Sequence, residues 1–258
     1  MLIDVHCHLD KLIEEGITAE KAIKNAHDKE VKKIVVNGTD HEQNIKILDL
    51  AKKHEEVKPA LGLYPLDALK LSDKEINEEI EFIEKNKKLI VAIGEVGLDL
   101  KEEELHKTID KQKNNLKKFV ELAIKLKKPV IIHSRKAELQ TIELLESLNA
   151  KKVIMHCFSG RMSLVDRIVQ NGWFLSIPAN IYYSQQFQDV VRRVPINNLL
   201  CETDSPYLHP LKEWPNEPAN VSYSYQKISE IKGLTLKDVE KQIEDNFNKL
   251  FNMQIFKN

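Results

Sequence analysis

A regular alternation of short apolar runs and amphipathic helical patterns constrains the fold of this chain more than any other feature. Eight runs are rich in β-branched residues, nearly continuous in hydrophobicity and closed by Gly, Ser, His or Asp, which is typical of buried parallel strands. These runs are MLIDV, KKIVVNG, VKPALGL, LIVAIGEVG, KPVIIHS, KKVIMHC, GWFLSI and NNLLCETD. Amphipathic patterns between them predict helices at 19–28, 44–54, 73–85, 109–127, 137–148 and 163–171.

This alternation predicts an α/β fold, a single TIM (β/α)8 barrel that spans residues 1–258 as one domain. The segment TLKDVEKQIEDNFNKLF has apolar residues at helical spacing and Thr235 as a suitable N-cap. It therefore predicts a closing helix packed on the exterior of the barrel. The loop YLHPLKEWPNEPANV follows the last predicted strand, and we expect it to arch over the C-terminal mouth of the barrel.

The composition limits the classes of function. The 258 residues are 42% hydrophobic, enough for a sizeable core, and a net charge of −1 gives no global cationic field to attract nucleic acid. No apolar run approaches the length of a membrane span and the start lacks a signal pattern, so we expect no membrane partner. The three cysteines lack the spacing of a disulfide framework and predict reduced thiols in a cytoplasmic protein. No obligate protein partner is indicated.

Residues that can bind metal fall at the ends of the predicted strands. His6 and His8 end the first run, and later runs end with four more such residues: Glu95, His133, His156 and Asp204. In a (β/α)8 barrel these strand ends share one rim, where such enzymes place their chemistry. Because side chains alternate along a strand, His6 and His8 point to the same side while Cys7 points away.

Each of these residues alone has an ordinary structural interpretation, but four histidines and two carboxylates are costly to cluster without a cation. Imidazole and carboxylate donors without thiolate suit Zn²⁺, Mn²⁺ or Fe²⁺, whereas Mg²⁺ prefers oxygen ligands. Six donors exceed the needs of one tetrahedral site, so the sequence predicts two divalent ions bridged by a carboxylate such as Glu95. Such a pair of ions is suited to hydrolysis of a phosphodiester or an amide-like bond. The identity of the metal, Zn²⁺, Mn²⁺ or Mg²⁺, stays open.

Six motifs, in this order and spacing, resemble the TatD family of metal-dependent hydrolases over essentially the whole chain: DVHCHLD, AIGEVGLD, KPVIIHSRKA, VIMHCFSG, CETDSPYLHP and NEPANV. The resemblance implies a TIM barrel with a two-metal site, usually acting as a deoxyribonuclease. It implies that His6 and His8 hold one ion, with Glu95 bridging to the second. By the same resemblance His133 and His156 hold the second ion, and Asp204 binds at the first site and serves as general base.

The sequence also indicates residues around the metal site. Arg135 is the predicted phosphate clamp, because its guanidinium fork matches two oxygens. Tyr64 stands where many members of the family carry histidine, and its phenol is a further predicted phosphate contact, as is the Ser205 hydroxyl. Glu202, two residues before Asp204, is predicted to orient a ligand imidazole. In a separate departure, Lys136 replaces a common aspartate, which makes that rim more positive.

Two classes of hydrolase fit these features. The leading hypothesis is a two-metal deoxyribonuclease, an exonuclease-type phosphodiesterase that trims DNA ends and binds nucleic acid weakly. The alternative is an amidohydrolase-type enzyme, for example a deacylase, that cuts an ester or amide bond with the same ligands. A non-enzymatic metal scaffold is disfavoured because structural zinc sites are closed by four ligands, usually rich in cysteine. On the loop after the last strand, Trp214 could stack a base or only pack.

Overall fold

The computed structural model describes residues 1–252, apart from the side chain of Glu103. Eight strands form one sheet in the sequential order β1 to β8. Their bounds are β1 Leu2–Cys7, β2 Val31–Asn37, β3 Val57–Leu61, β4 Ala92–Gly97, β5 Val130–His133, β6 Val153–His156, β7 Phe174–Pro178 and β8 Leu199–Glu202. Every predicted strand is confirmed, and the chain has the predicted TIM (β/α)8 barrel fold.

Helices connect the strands. They are α1 Leu9–Glu14, α2 Ala19–Asp28, α3 His41–Lys53, α4 Pro65–Ala68, α5 Asp73–Lys85, α6 Ile109–Leu126, α7 Glu138–Ser147, α8 Met162–Gln170, α9 Gln185–Arg193, α10 Val221–Lys232 and α11 Leu236–Phe251. The six predicted helices correspond to α2, α3, α5, α6, α7 and α8, with ends that differ by at most a few residues. The sequence patterns did not predict α1, α4, α9 or α10.

The predicted closing helix is confirmed as α11. It follows Thr235, whose hydroxyl oxygen accepts a hydrogen bond from the N–H of Asp238 at 3.2 Å. Its buried face includes four of the five apolar residues at helical spacing, Val239, Ile243, Phe247 and Leu250, whereas the fifth, Leu236, is 40% exposed. Asn246 on the same face donates its side-chain amide to the carbonyl of Leu199 at 2.8 Å, which ties α11 to the first residue of β8.

The chain divides into two compact units. The first unit contains Met1–Val36, His54–Lys58 and the described residues from Phe174 onward, and the second contains Asn37–Lys53 and Pro59–Trp173. In the first unit β1 pairs with β2 and β7 pairs with β8, and in the second β4, β5 and β6 pair in succession, all in parallel. A single domain over 1–258 stays a prediction, and residues 253–258 lie outside the described residues.

The loop after β8 belongs to the first unit and is held by Asn216. The side-chain amide of this fully buried residue donates to the carbonyls of Thr203 at 3.0 Å and Tyr207 at 2.7 Å. The loop is therefore anchored to the end of β8, whereas its expected position over the barrel mouth stays a prediction.

The three cysteines are free thiols, and Cys7 and Cys201 are fully buried. No helix within residues 1–252 combines the length and the apolar character needed to cross a membrane. The cytoplasmic location that the cysteines suggest stays a prediction.

Candidate metal centre

Three of the predicted ligands come together in the first unit. His6 lies within β1 and His8 directly after it, and Asp204 follows β8. The Nε2 atoms of the two imidazole rings are 3.2 Å apart. Each of these atoms lies 3.6 Å from Oδ1 of Asp204. Cys7 points away, as predicted, and its Sγ lies 3.7 Å from the carbonyl oxygen of Val35 on β2.

A buried carboxylate, Asp4, fixes the two strand ends that carry these ligands. Its Oδ1 accepts hydrogen bonds from the backbone N–H of His6 at 3.1 Å and of Thr203 at 3.0 Å, and its Oδ2 accepts the Thr203 hydroxyl at 2.6 Å. The N–H of Asp204 donates to the carbonyl of His6 at 2.9 Å. Burial raises the pKa of Asp4, although these hydrogen bonds oppose the change. The ends of β1 and β8 are thereby held side by side.

The other three predicted ligands come together in the second unit. Glu95 lies within β4, and His133 and His156 are the last residues of β5 and β6. Oε1 of Glu95 is 2.8 Å from Nδ1 of His133 and 3.5 Å from Nε2 of His156. One possible ligand atom from each of the three residues lies within 4.8 Å of the other two.

The approach of β4 to β5 at this point depends on Gly97. A Cβ atom at this position would overlap the carbonyl group of His133, which sits opposite Gly97 in the strand register. The N–H of Leu98 donates to the same carbonyl at 3.0 Å. A larger residue in place of Gly97 would therefore displace the strand end that carries His133.

Asp99, just after β4, has a fully buried carboxylate that accepts several hydrogen bonds. Its Oδ2 accepts the Tyr64 hydroxyl at 2.6 Å, and it accepts Nη2 and Nε of Arg135 at 2.6 Å and 3.0 Å. The same oxygen lies 3.1 Å from Nε2 of His133. A carboxylate that holds the second nitrogen of a metal-binding histidine fixes the orientation of the ring and increases its basicity. Asp99 is therefore a positioning residue for His133.

Asp99 is not among the residues predicted from the sequence. A signal was available, because Glu95, Gly97 and Asp99 are spaced by two and lie on the same side of an extended chain. The donors that meet at Asp99 come from the loop after β3 and from the end of β5, however, and only the folded chain brings them together.

The network around Asp99 favours an ionised carboxylate. Burial opposes ionisation, but hydrogen bonds from His133, Arg135 and Tyr64 outweigh it and hold the pKa of Asp99 well below its usual range. Burial also disfavours a charged imidazole, yet the hydrogen bonds of His133 to Asp99 and Glu95 raise the pKa of His133. Burial and the bond to Asp99 raise the pKa of Tyr64, so its phenol stays protonated.

Both donor groups fit a divalent metal ion in their chemistry and spacing. A tetrahedral ion with bonds of about 2.0–2.1 Å has donor atoms about 3.3 Å apart. The separations of 3.2 Å and 3.6 Å among His6, His8 and Asp204 are close to this value. The 3.5 Å between Glu95 and His156 is close to it as well, whereas the 2.8 Å between Glu95 and His133 is a hydrogen-bond distance. Imidazole and carboxylate donors without thiolate suit Zn²⁺ or Mn²⁺.

Two further predicted residues belong to the first unit, and both are buried. Glu202 is fully buried, and a carboxylate oxygen lies within 4.8 Å of a ring nitrogen of His6. Its orientation of a ligand imidazole stays a prediction. Ser205 is also fully buried, and its hydroxyl oxygen lies 3.2 Å from the hydroxyl oxygen of Thr203. A phosphate could reach Ser205 only if this side chain became uncovered, so its substrate contact stays a prediction.

The remaining predicted residues belong to the second unit. The Arg135 side chain is 43% exposed. The Tyr64 hydroxyl donates to Asp99 and accepts from Nη2 of Arg135 at 3.2 Å, so its predicted contact with phosphate would compete with this network and stays a prediction. Lys136 is exposed and has a left-handed φ of 58°.

A (β/α)8 barrel with histidine and carboxylate donors at its strand ends is an architecture of metal-dependent hydrolases. The family model described as TatD related DNase matches residues 3–252 of this chain. The chain belongs to that family and is a metal-dependent hydrolase.

Individual relatives match along nearly the whole chain. Deoxyribonuclease TATDN3 of Homo sapiens is 34% identical and covers 97% of this chain and 94% of its own length. The metal-dependent hydrolase MJ1582 of Methanocaldococcus jannaschii is 32% identical over 98% of each chain. The crystal structure of YjjV, a TatD homolog from Escherichia coli, matches with a TM-score of 0.88 and 28% identity over 98% of each chain.

Proposed function

We propose that this chain is a deoxyribonuclease of the exonuclease type, which removes nucleotides from DNA ends by hydrolysing phosphodiester bonds. The observation that carries the proposal is the pair of imidazole–carboxylate groups at the strand ends, each with the donor chemistry and spacing of a metal site. The relative named as a deoxyribonuclease supports DNA as the substrate.

The proposed centre holds two divalent ions. Their ligands would be His6, His8 and Asp204 for one ion, His133 and His156 for the other, and Glu95 as the bridge. Zn²⁺ or Mn²⁺ fits these mixed nitrogen and oxygen donors better than Mg²⁺ does. When bound, such ions polarise the phosphodiester and lower the pKa of the attacking water.

Asp204 is the proposed general base. Its side chain is 16% exposed and can be reached by water, whereas the His6 side chain next to it is fully buried. A carboxylate oxygen of Asp204 accepts a proton from the attacking water and passes it to solvent. The hydrogen bond from its N–H to the carbonyl of His6 keeps this carboxylate beside the histidines.

Arg135 is the proposed phosphate contact. Its Nε and Nη2 atoms are engaged by Asp99 and Tyr64, whereas Nη1 makes no hydrogen bond with any residue in 1–252. The guanidinium is thereby held in place before substrate arrives, which reduces the entropy lost on binding. Because the chain carries a net charge of only −1, we expect nucleic acid to bind weakly through such local contacts.

The test is hydrolysis of single-stranded DNA labelled at the 5′ or the 3′ end. The protein is stripped with chelator and restored with Mg²⁺, Mn²⁺ or Zn²⁺, and we expect metal-dependent shortening from one end only. Asp204→Asn should lose most of its turnover while the fold survives. Asp189→Asn is the control, because Asp189 pairs with Arg192 on exposed helix surface in the same unit.

Absence of cleavage with every metal, despite about two bound ions per chain, would overturn the nuclease proposal. The donor groups would then be assigned to the ester or amide hydrolysis that the sequence left as the alternative. Full activity of Asp204→Asn would remove Asp204 from the proton transfer.

A further inference from the structure

Exposed aromatic side chains are concentrated in one part of the first unit. Among residues 1–252, every exposed tyrosine or tryptophan lies between positions 182 and 214, with exposed fractions of 42% to 56%: Tyr182, Tyr183, Tyr207 and Trp214. The other tryptophan, Trp173, is 1% exposed. Removing large aromatic rings from water lowers the free energy, so a ligand that covers these exposed rings would be stabilised by them.

Two of these rings, Tyr207 and Trp214, form what we call the Tyr207–Trp214 platform. Their centroids are 5.7 Å apart and their planes are inclined by 55°. The N–H of Tyr207 donates to the carbonyl of Asp204 at 2.8 Å, so the platform begins one turn after the proposed general base. The indole N–H of Trp214 donates to a carboxylate oxygen of Glu15 at 2.8 Å, which restricts the orientation of the exposed ring.

One lysine beside the platform and one on the same loop as Trp214 supply positive charge. The ammonium of Lys11 lies 5.6 Å from the ring centroid of Tyr207, and that of Lys212 lies 4.8 Å from the ring of Tyr183. Neither lysine makes an ion pair with any residue of the described chain. Helix α1, which carries Lys11, also carries Asp10, which is buried, and Glu14, which is exposed, and Glu15 at the end of the helix is engaged by the indole N–H. On the loop, Glu213 faces His209 and Glu217 accepts the side-chain amide of Asn25 at 2.7 Å.

We propose that the Tyr207–Trp214 platform stacks the bases of single-stranded nucleic acid, while Lys11 and Lys212 contact the flanking phosphates. This proposal rests on the proposed nuclease function and defines which form of substrate enters the site. Every base has an aromatic face, so stacking on tyrosine and tryptophan holds a strand without reading its sequence. Bases within a duplex already stack on one another, so the platform selects unpaired ends.

The test separates stacking from phosphate binding by using two probes of equal length. One is a thymidine dodecamer, and the other is a dodecamer of the same phosphates and sugars without bases. Both are titrated against the full chain in EDTA, so that no strand is cut. We expect the dodecamer with bases to bind about tenfold more tightly, as one stacked base would provide. We also expect it to quench the emission of exposed Trp214.

Three variants decide the outcome. Trp214→Ala should bring the affinity ratio of the two probes close to one, whereas Trp214→Phe, which keeps a ring, should retain most of it. Tyr182→Ala is the matched control, because Tyr182 is 51% exposed but its neighbouring Lys227 is paired with Glu230 at 2.6 Å. An affinity ratio of the two probes near one in the wild type, or an undiminished ratio in Trp214→Ala, would contradict the stacking proposal.

Cleavage assays distinguish failure of the platform from failure of the nuclease proposal. If the wild type binds the dodecamer through its bases but cuts no nucleic acid with any metal, the stacking proposal stands and the nuclease proposal is wrong. If the wild type cuts DNA but binds the two probes with equal affinity, the nuclease proposal stands and the stacking proposal is wrong.

Discussion

The hydroxyl of Tyr64 donates its hydrogen to Oδ2 of Asp99 across 2.6 Å. The same carboxylate holds Arg135 and lies 3.1 Å from His133, so Tyr64 is part of the support for a proposed ligand. Tyr64 was predicted from sequence to contact phosphate directly. Its only hydrogen is committed to Asp99, which favours an indirect role through Arg135 and His133.

Tyr64→Phe should therefore lower stability more than it changes chemistry. Loss of the hydroxyl removes one of the hydrogen bonds to Asp99, and we expect the free energy of unfolding to fall by about 1 kcal/mol. Urea denaturation in EDTA measures this change. Tyr182→Phe is the control, because the Tyr182 hydroxyl makes no hydrogen bond with any residue of 1–252. Equal losses in the two variants would contradict the assigned bond.

Asp99→Asn should impair the site without removing any proposed metal ligand. An amide cannot hold His133, Arg135 and Tyr64 as a carboxylate does, so we expect a loss of about 10–100-fold in metal affinity or activity. Metal titration and kcat/KM on labelled DNA measure it. The control is Asp73→Asn, because the Asp73 carboxylate is 86% exposed and pairs only with Lys118. Unchanged metal affinity and turnover in Asp99→Asn would reject its positioning role.

The stabilisation that comes from Asp99 should depend on pH. Its pKa in the folded chain lies below the ordinary value of 3.8, so the folded state favours the ionised form. That contribution is fully present above pH 3.8 and is lost as pH falls towards the folded pKa. The difference in unfolding free energy between wild type and Asp99→Asn should narrow below pH 3.8. Urea denaturation in EDTA at a series of pH values checks this, and a difference that widens in acid would contradict it.

Arg135→Ala should raise KM for DNA more than it lowers kcat. The lost contact is one charged hydrogen bond to phosphate, and we expect a rise in KM of about tenfold. Arg135→Lys should not restore binding, because an ammonium cannot hold Asp99 and reach phosphate with a fixed fork. The control is Arg192→Ala, which removes an exposed arginine paired with Asp189. An unchanged KM in Arg135→Ala would show that Arg135 is not the clamp.

The barrel and the donor residues could be predicted from the sequence because both follow from local patterns. Buried parallel strands are continuous apolar runs, and the residues that end them point to one rim whatever the details of packing. The alternation within β1 was enough to separate His6 and His8 from Cys7, whose thiol faces Val35. These inferences need only the spacing of residues along one strand.

Some of the features that the sequence patterns missed depend on contacts between distant segments. Helix α10 buries the polar groups of Ser224 and Tyr225 beside Val221 and Ile228, so its core-facing side is not uniformly apolar. The partners of Asp99 likewise come from the loops after β3 and β5, and the spacing of these residues along the chain does not predict that they contact one another.

The bridging role of Glu95 can be tested against a second buried glutamate that also contacts histidine. Glu79 is 4% exposed, lies 2.5 Å from Nδ1 of His41 and accepts the Asn44 amide at 2.8 Å, whereas Glu95 is 3% exposed and contacts the proposed ligands. Glu95→Gln should lose bound metal and nearly all activity, because a neutral amide is a poor bridge between cations. Glu79→Gln should keep its metal even if stability falls, as elemental analysis and thermal unfolding would measure. Metal loss in both variants would point to general disruption of the second unit, and full metal content in Glu95→Gln would rule out the bridge.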